Sequence, residues 1–405
     1  MRTRIETKVD LRMKPRIWLI SLLVLVLLLA GCQEEVVTKP DDIEPTATYD
    51  WMAGESPVPN KRMGLLRAGL TTGLQTVSPN GIYFVVKTDD LRNSYILYAD
   101  HGSDTFIKLC GRSDCSHSSP DCNAYVYNGA KLTYYGGYLY VVSGDAYGDR
   151  LIRMDPDGGN HLTVMEFQEF AHEHGADLAQ CELITNGICK FSLYNGKNVD
   201  GQYELEYLET YMFKLDGSMS EPRAGKSGAS VWYSCGDVFY ATSDSIHGND
   251  GRSVFDWDPE TNTLTYLTEH PGTAGYFGEN EAYYFKDGAV RRLTYATQTE
   301  EAVIDTDLEG DYYVYCFPEC LVLASREMGK ETDNSLYIYN WAFELVDTVT
   351  IANPMSVRTN SMLIGETAER FILSNTYDGL PLYYINKSEL GSGNVKTHKF
   401  TLPDM

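Results

Sequence analysis

From Thr76 onward the chain alternates short aromatic and β-branched runs with clusters of Gly, Asn, Asp and Pro. Apolar residues seldom recur at the three-to-four spacing of a helix face, so the pattern predicts strands almost throughout. The runs group into a repeating unit: a short strand, a tight turn, an aromatic strand, a loop, a third strand, a second turn and a fourth strand. Seven tight turns mark seven units: Pro79-Asn80-Gly81, Gly136-Gly137, Asn186-Gly187, Gly236-Asp237, Glu279-Asn280, Pro318-Glu319 and Ala368-Glu369. Their mean spacing of about 48 residues is a blade-length period. The second turn recurs as Met154 to Gly159, Leu215 to Ser218 and Trp257 to Asn262, where Asp and Asn bond the turning backbone and Gly accepts positive φ. Asp155, Asp157 and Asn160 also begin like a calcium loop. Met165 stands where the bidentate Glu is required, so a hairpin turn is expected instead.

Four antiparallel strands repeated seven times describe an all-β chain, a seven-bladed β-propeller. Six or eight blades stay open, because the fifth and sixth units are short and Gly69 to Thr76 is a candidate closing segment. Composition agrees: 43% of residues are hydrophobic, enough for a real core, and 30 tyrosines suit wedges between blades, where a ring fills space and its hydroxyl finds a partner. Arg150 to Asn160 resembles the blade signature of TolB-like propellers, and Val77 to Tyr83 is similar to the next strand pair of that family. The resemblance implies fold and leaves function open.

The N-terminus follows another rule. Arg2, Arg4, Lys8, Arg12, Lys14 and Arg16 precede an aliphatic run, Ile17 to Leu29, shorter than the ~20 residues of a spanning helix. Leu29-Ala30-Gly31-Cys32 resembles the lipobox of bacterial lipoproteins. That resemblance implies cleavage before Cys32, a diacylglycerol on its thiol and further acylation such as palmitate, which would hold the protein on the outer side of the cell membrane. The expected organisation is a signal peptide at 1–31, an acylated Cys32 with an extended disordered linker at 32–60, and the propeller at 61–405. The linker carries Glu34, Glu35, Asp41, Asp42, Glu44 and four prolines.

A net charge of -24 argues against nucleic acid as a partner, because the phosphate backbone would repel most of this surface. Candidate chemistry centres on Cys110-x4-Cys115-x-His117-x4-Cys122. The segment Leu109 to Tyr125 resembles an insert of propeller lipoproteins from Gram-positive anaerobes. In an extracytoplasmic protein the first expectation is disulfides; a structural zinc held by Cys110, Cys115, His117 and Cys122 comes second, and reduced thiols third. Apart from that possible zinc, no cofactor is expected. Cys316 and Cys320 flank a tight turn and are the favoured pair if three residues separate them, ahead of Cys181 and Cys189; burial as small apolar residues is the alternative for all four. His172-Glu173-His174 reads as an exposed loop with solvated histidines.

No nucleophile elbow, zinc-protease motif, phosphate loop or dinucleotide fingerprint occurs, and no catalytic residue is assigned. The leading expectation is a membrane-anchored lipoprotein whose propeller binds or scaffolds a glycan, peptide or envelope protein on one face. The alternative is a propeller hydrolase or lyase acting on cell-wall or dietary glycans.

Overall fold

Two-residue turns force the chain to fold straight back, and the expected meanders are what forms. The computed structural model describes residues 74–404 apart from 89–92, 118–119, 130, 145–149, 186, 200–201, 216–222, 225–228, 236–237, 244–252, 259–262, 270–274, 326–334, 352–360 and 376–381. Cys32, the signal segment and the linker lie outside the described residues. All that is described belongs to one unit, Tyr49–Met405.

Among the described residues there are seven antiparallel sheets of consecutive strands: sheet 1 (75–127), sheet 2 (131–166), sheet 3 (178–224), sheet 4 (229–269), sheet 5 (275–305), sheet 6 (312–350) and sheet 7 (361–399). The fold is an all-β propeller. First strands of neighbouring sheets pack against one another, sheet 1 against 2 and 7, sheet 2 against 3, sheet 5 against 6, which places them innermost. Burial follows that order: the second strand Gly81–Lys87 is buried except at its last residue, whereas the fourth strand Leu162–Glu166 is almost wholly exposed. Strands buried on both faces read as unbroken apolar runs, and edge strands read as mixed ones.

Five of the seven tight turns of the sequence join the first strand of a sheet to its second; the other two, Asn186-Gly187 and Gly236-Asp237, lie partly or wholly outside the described residues. Sheets 1 and 7 build theirs alike. Ser78 Oγ accepts the amides of Asn80 and Gly81 at 3.1 and 3.2 Å, and Thr367 Oγ1 accepts those of Glu369 and Arg370 at 3.2 and 3.0 Å. The expected tyrosine wedges are present too. Tyr83 and Tyr140, each third in its second strand, donate to Pro156 O and Leu215 O of the next sheet, both at 3.1 Å. Tyr283, in the same place on sheet 5, meets the Trp341 ring of sheet 6 edge-on at 5.6 Å.

Sheets 7 and 1 close the ring without sharing a strand. Gln75–Val77 is the first strand of sheet 1, and residues 69–73 of the candidate closing segment lie outside the described residues. The join is made by loops: Thr105 bridges Thr401, Arg370 donates to Ser103 O and Gly102 O at 2.6 and 3.0 Å, and its guanidinium lies over Tyr384.

Two local expectations are corrected. The segment around His172 is an α-helix, Phe167–Glu173, whose Phe167 and Ala171 are buried one turn apart. Its histidines diverge: His172 meets Gln168, and His174 stacks on Phe170 at 3.9 Å. At the other site, Pro318-Glu319 is a two-residue turn, so Cys316 pairs with Leu321 and Phe317 with Cys320. Alternation then puts Cys316 and Cys320 on opposite faces, where they cannot bond. Cys181 and Cys189 share a face, because the register shifts between Cys181 and Leu183, and their sulfurs lie 4.0 Å apart in a buried core.

Candidate metal centre

The cysteine cluster is carried by a loop with a closed neck. The fourth strand of sheet 1 comes in two pieces, Ile107–Lys108 and Tyr125–Tyr127, both paired to the third strand Asn93–Asp100. Ile96 joins them: Leu109 N–H donates to Ile96 O, and Ile96 N–H donates to Ala124 O, both at 2.8 Å. The chain therefore leaves the sheet after Leu109 and returns at Ala124 to the same residue, an Ω-shaped excursion.

The second turn of sheet 2 supports that neck. His161 Nε2 contacts Asn123 O at 3.1 Å and Gly158 O at 3.0 Å. Gly158 has φ +82°, and a Cβ there would fall 2.5 Å from Leu109 O, so both conformation and space demand glycine. The turn is the hairpin that the sequence predicts, and its side chains serve it. Asp155 accepts from Asn160 Nδ2 at 2.6 Å, and Asp157 accepts from the Gly159 amide at 2.8 Å.

Within the loop, the Sγ atoms of Cys110, Cys115 and Cys122 and a ring nitrogen of His117 all lie within 4.8 Å of one another. Cys122 Sγ is 3.6 Å from His117 Nδ1. Each sulfur accepts the amide two residues ahead: Arg112 for Cys110, His117 for Cys115 at 3.4 Å, and Ala124 for Cys122. Burial pushes the Cys122 thiol up to about 12, with its sulfur neighbours adding to the rise. For Cys110 burial acts in the same direction, but the amides of Arg112 and Asn123 and the neighbouring thiols outweigh it and lower the value. His117 holds φ +56°, uncommon for a residue with a Cβ. Lys108 Nζ donates to His117 O at 3.0 Å, and Arg112 donates to Asp121 O at 2.9 Å, which fixes the tip.

A second concentration of charge, unforeseen from sequence, joins sheets 6 and 7. Lys387, its side chain 5% exposed, donates to Glu366 at 2.6 Å and to both oxygens of Glu319 at 3.1 and 3.2 Å. Burial raises Glu366 to about 7 even though the ammonium pulls it down. These residues lie far apart in sequence, and only the turn position of Glu319 and the strand end at Glu366 bring them together.

No family model matches the chain, and no curated protein matches it. Solved structures resemble it at low identity. An acylaminoacyl peptidase of Pyrococcus horikoshii is 11% identical with TM-score 0.48, over 86% of this chain and 54% of that one. The β-propeller domain of the Trilobed protease from Pyrococcus furiosus is 11% identical with TM-score 0.42, over 67% and 82%. An oligogalacturonate lyase in complex with manganese is 13% identical with TM-score 0.35, over 65% and 74%. The chain thus spans about half the length of the peptidase it resembles.

Proposed function

We propose that the chain is a lipid-anchored, extracytoplasmic propeller that binds or scaffolds a glycan, peptide or envelope protein. The observation that carries this reading is a ribbon leaving sheet 3. Strands Ile188–Val199 and Gln202–Lys214 stay paired out to Val199 with Gln202, while the first strand of the sheet pairs only as far as Tyr194. Asp177 holds the ribbon's base by accepting the Gly196 amide at 2.9 Å, and Lys197 pairs with Glu206 across it. Beside this base Tyr207 and Leu208 are 39% and 40% exposed, with Tyr194 set edge-on to Tyr207 at 6.0 Å. An exposed ring and aliphatic chain on a rigid, hydrogen-bonded ribbon suit a sugar face or a peptide.

The anchor rests on Cys32. Labelled palmitate should enter the full chain and not the Cys32→Ser variant. A glycan and peptide array probed with the full chain in detergent should give binders whose signal falls at least ~10-fold in a Tyr207→Ala/Leu208→Ser variant. Undiminished binding would remove the ribbon from the account.

One observation favours the second reading, a hydrolase or lyase on cell-wall or dietary glycans. Glu366, held near neutrality beside a buried ammonium, has the properties of a proton donor or acceptor. Turnover of an array member that vanishes in Glu366→Gln would establish it.

A further inference from the structure

We propose that the loop 110–123 binds one zinc ion through the Sγ atoms of Cys110, Cys115 and Cys122 and Nδ1 of His117, as a clip that closes the excursion at its tip while Ile96 closes it at its base. Nothing in the partner reading bears on this centre.

Three features separate zinc from the alternatives. The first is spacing. Zn–S bonds of about 2.3 Å and Zn–N bonds of about 2.0 Å in a tetrahedron put ligand atoms roughly 3.5–3.8 Å apart. The Cys122 to His117 separation is 3.6 Å, and the largest spread in the set is bounded by 4.8 Å, so closing on the ion needs contraction of about 1 Å. Second, no two sulfurs are singled out as a bonded pair, and a disulfide among three cysteines would leave one over. It would also give no reason for His117 to adopt positive φ with its ring turned toward the sulfurs. Third, every sulfur already accepts a backbone amide, the kind of contact that orients a ligand toward a metal.

The donor set also selects the ion. Three soft thiolates and an imidazole favour zinc over magnesium, calcium or manganese, which take oxygen ligands. As three Zn–S bonds form, three S–H protons leave to solvent, and three thiolates against one dication leave a charge of -1. Lys108 and Arg112, both bonded to loop carbonyls, stand beside that charge. With no fourth position open to water, the centre is structural: it shapes the loop and does no hydrolysis.

The test uses the full chain in detergent, purified anaerobically with reductant. One zinc per chain is expected, released when a mercurial titrates the loop thiols. Cobalt in place of zinc should show sulfur-to-metal charge transfer and the visible bands of a tetrahedral site. Cys115→Ser and His117→Ala should weaken cobalt binding by more than about tenfold, while His117→Cys retains it, since four thiolates also make a tetrahedral site. If those variants do not fold, the cobalt spectrum of the unaltered chain decides. An octahedral spectrum, no cobalt uptake by the reduced chain, or peptide mapping that finds a disulfide among Cys110, Cys115 and Cys122 in metal-free protein overturns the proposal.

Discussion

The loop of sheet 1 and the junction of sheets 6 and 7 both crowd titratable groups together, and they solve the crowding in opposite ways. At the junction the solution is internal: Lys387 is spent on two carboxylates, so opposite charges neutralise one another within the protein. In the loop four potential metal donors, three thiols and an imidazole, face one another with no opposite charge among them, and backbone amides supply only part of the compensation. A cluster of like donors calls for a cation from outside, whereas a cluster of opposite charges has already found its partner. Density of ionisable groups is therefore a poor marker of a ligand site, and the sign of the groups is the better one.

The sharpest way to break that comparison is to remove the junction's cation. Lys387→Met leaves Glu366 and Glu319 facing each other with no counter-charge, which should cost about 3 kcal/mol at pH 8. Urea unfolding of the full chain followed by fluorescence measures it. A loss below about 1 kcal/mol would mean that water reaches the cluster and that the junction is not closed.

A smaller effect separates the two carboxylates. Glu366 has a folded-state value of about 7 against an ordinary 4.5, so the folded chain holds its proton more tightly than the unfolded one. Its contribution is fully present below about pH 4.5 and fades as pH rises through 7. Glu366→Gln should remove that slope, changing the difference in stability between pH 5 and pH 7.5 by about 2 kcal/mol relative to the unaltered chain. Parallel pH profiles for the two proteins would show that the carboxyl does not titrate in this window.

How much of this was legible in sequence depends on the range of the interaction. Six of the seven turns were, because a two-residue reversal favours Gly, Asn, Asp or Pro, and the period they set located Ala368-Glu369 and the tyrosine wedges. The four donors of the loop were named as one of three options because they lie within a few turns of chain. Its neck was not, since closure at Ile96 is a pair of backbone bonds that no side chain announces. The helix Phe167–Glu173 went unseen because two buried positions, Phe167 and Ala171, make too short an apolar face to show a period. The register shift beside Cys181 was equally silent, and it set Cys181 and Cys189 on one face.

The core cysteines supply the smallest effect and the control for the rest. Cys189 is fully buried beside Cys181, and burial drives its thiol well above the ordinary value, so it resides there as an un-ionised, apolar group. Cys189→Ala removes one sulfur atom from a packed site and should cost about 1 kcal/mol in urea unfolding, the scale of deleting one buried methyl-sized group. Metal content should be unchanged, because Cys189 belongs to the buried core of sheets 2 and 3 and not to the donor cluster of the loop. The same substitution at Cys110, where amides favour the thiolate, should cost metal. Equal metal loss at 110 and 189 would dissolve the distinction between a cysteine that packs and one that ligates.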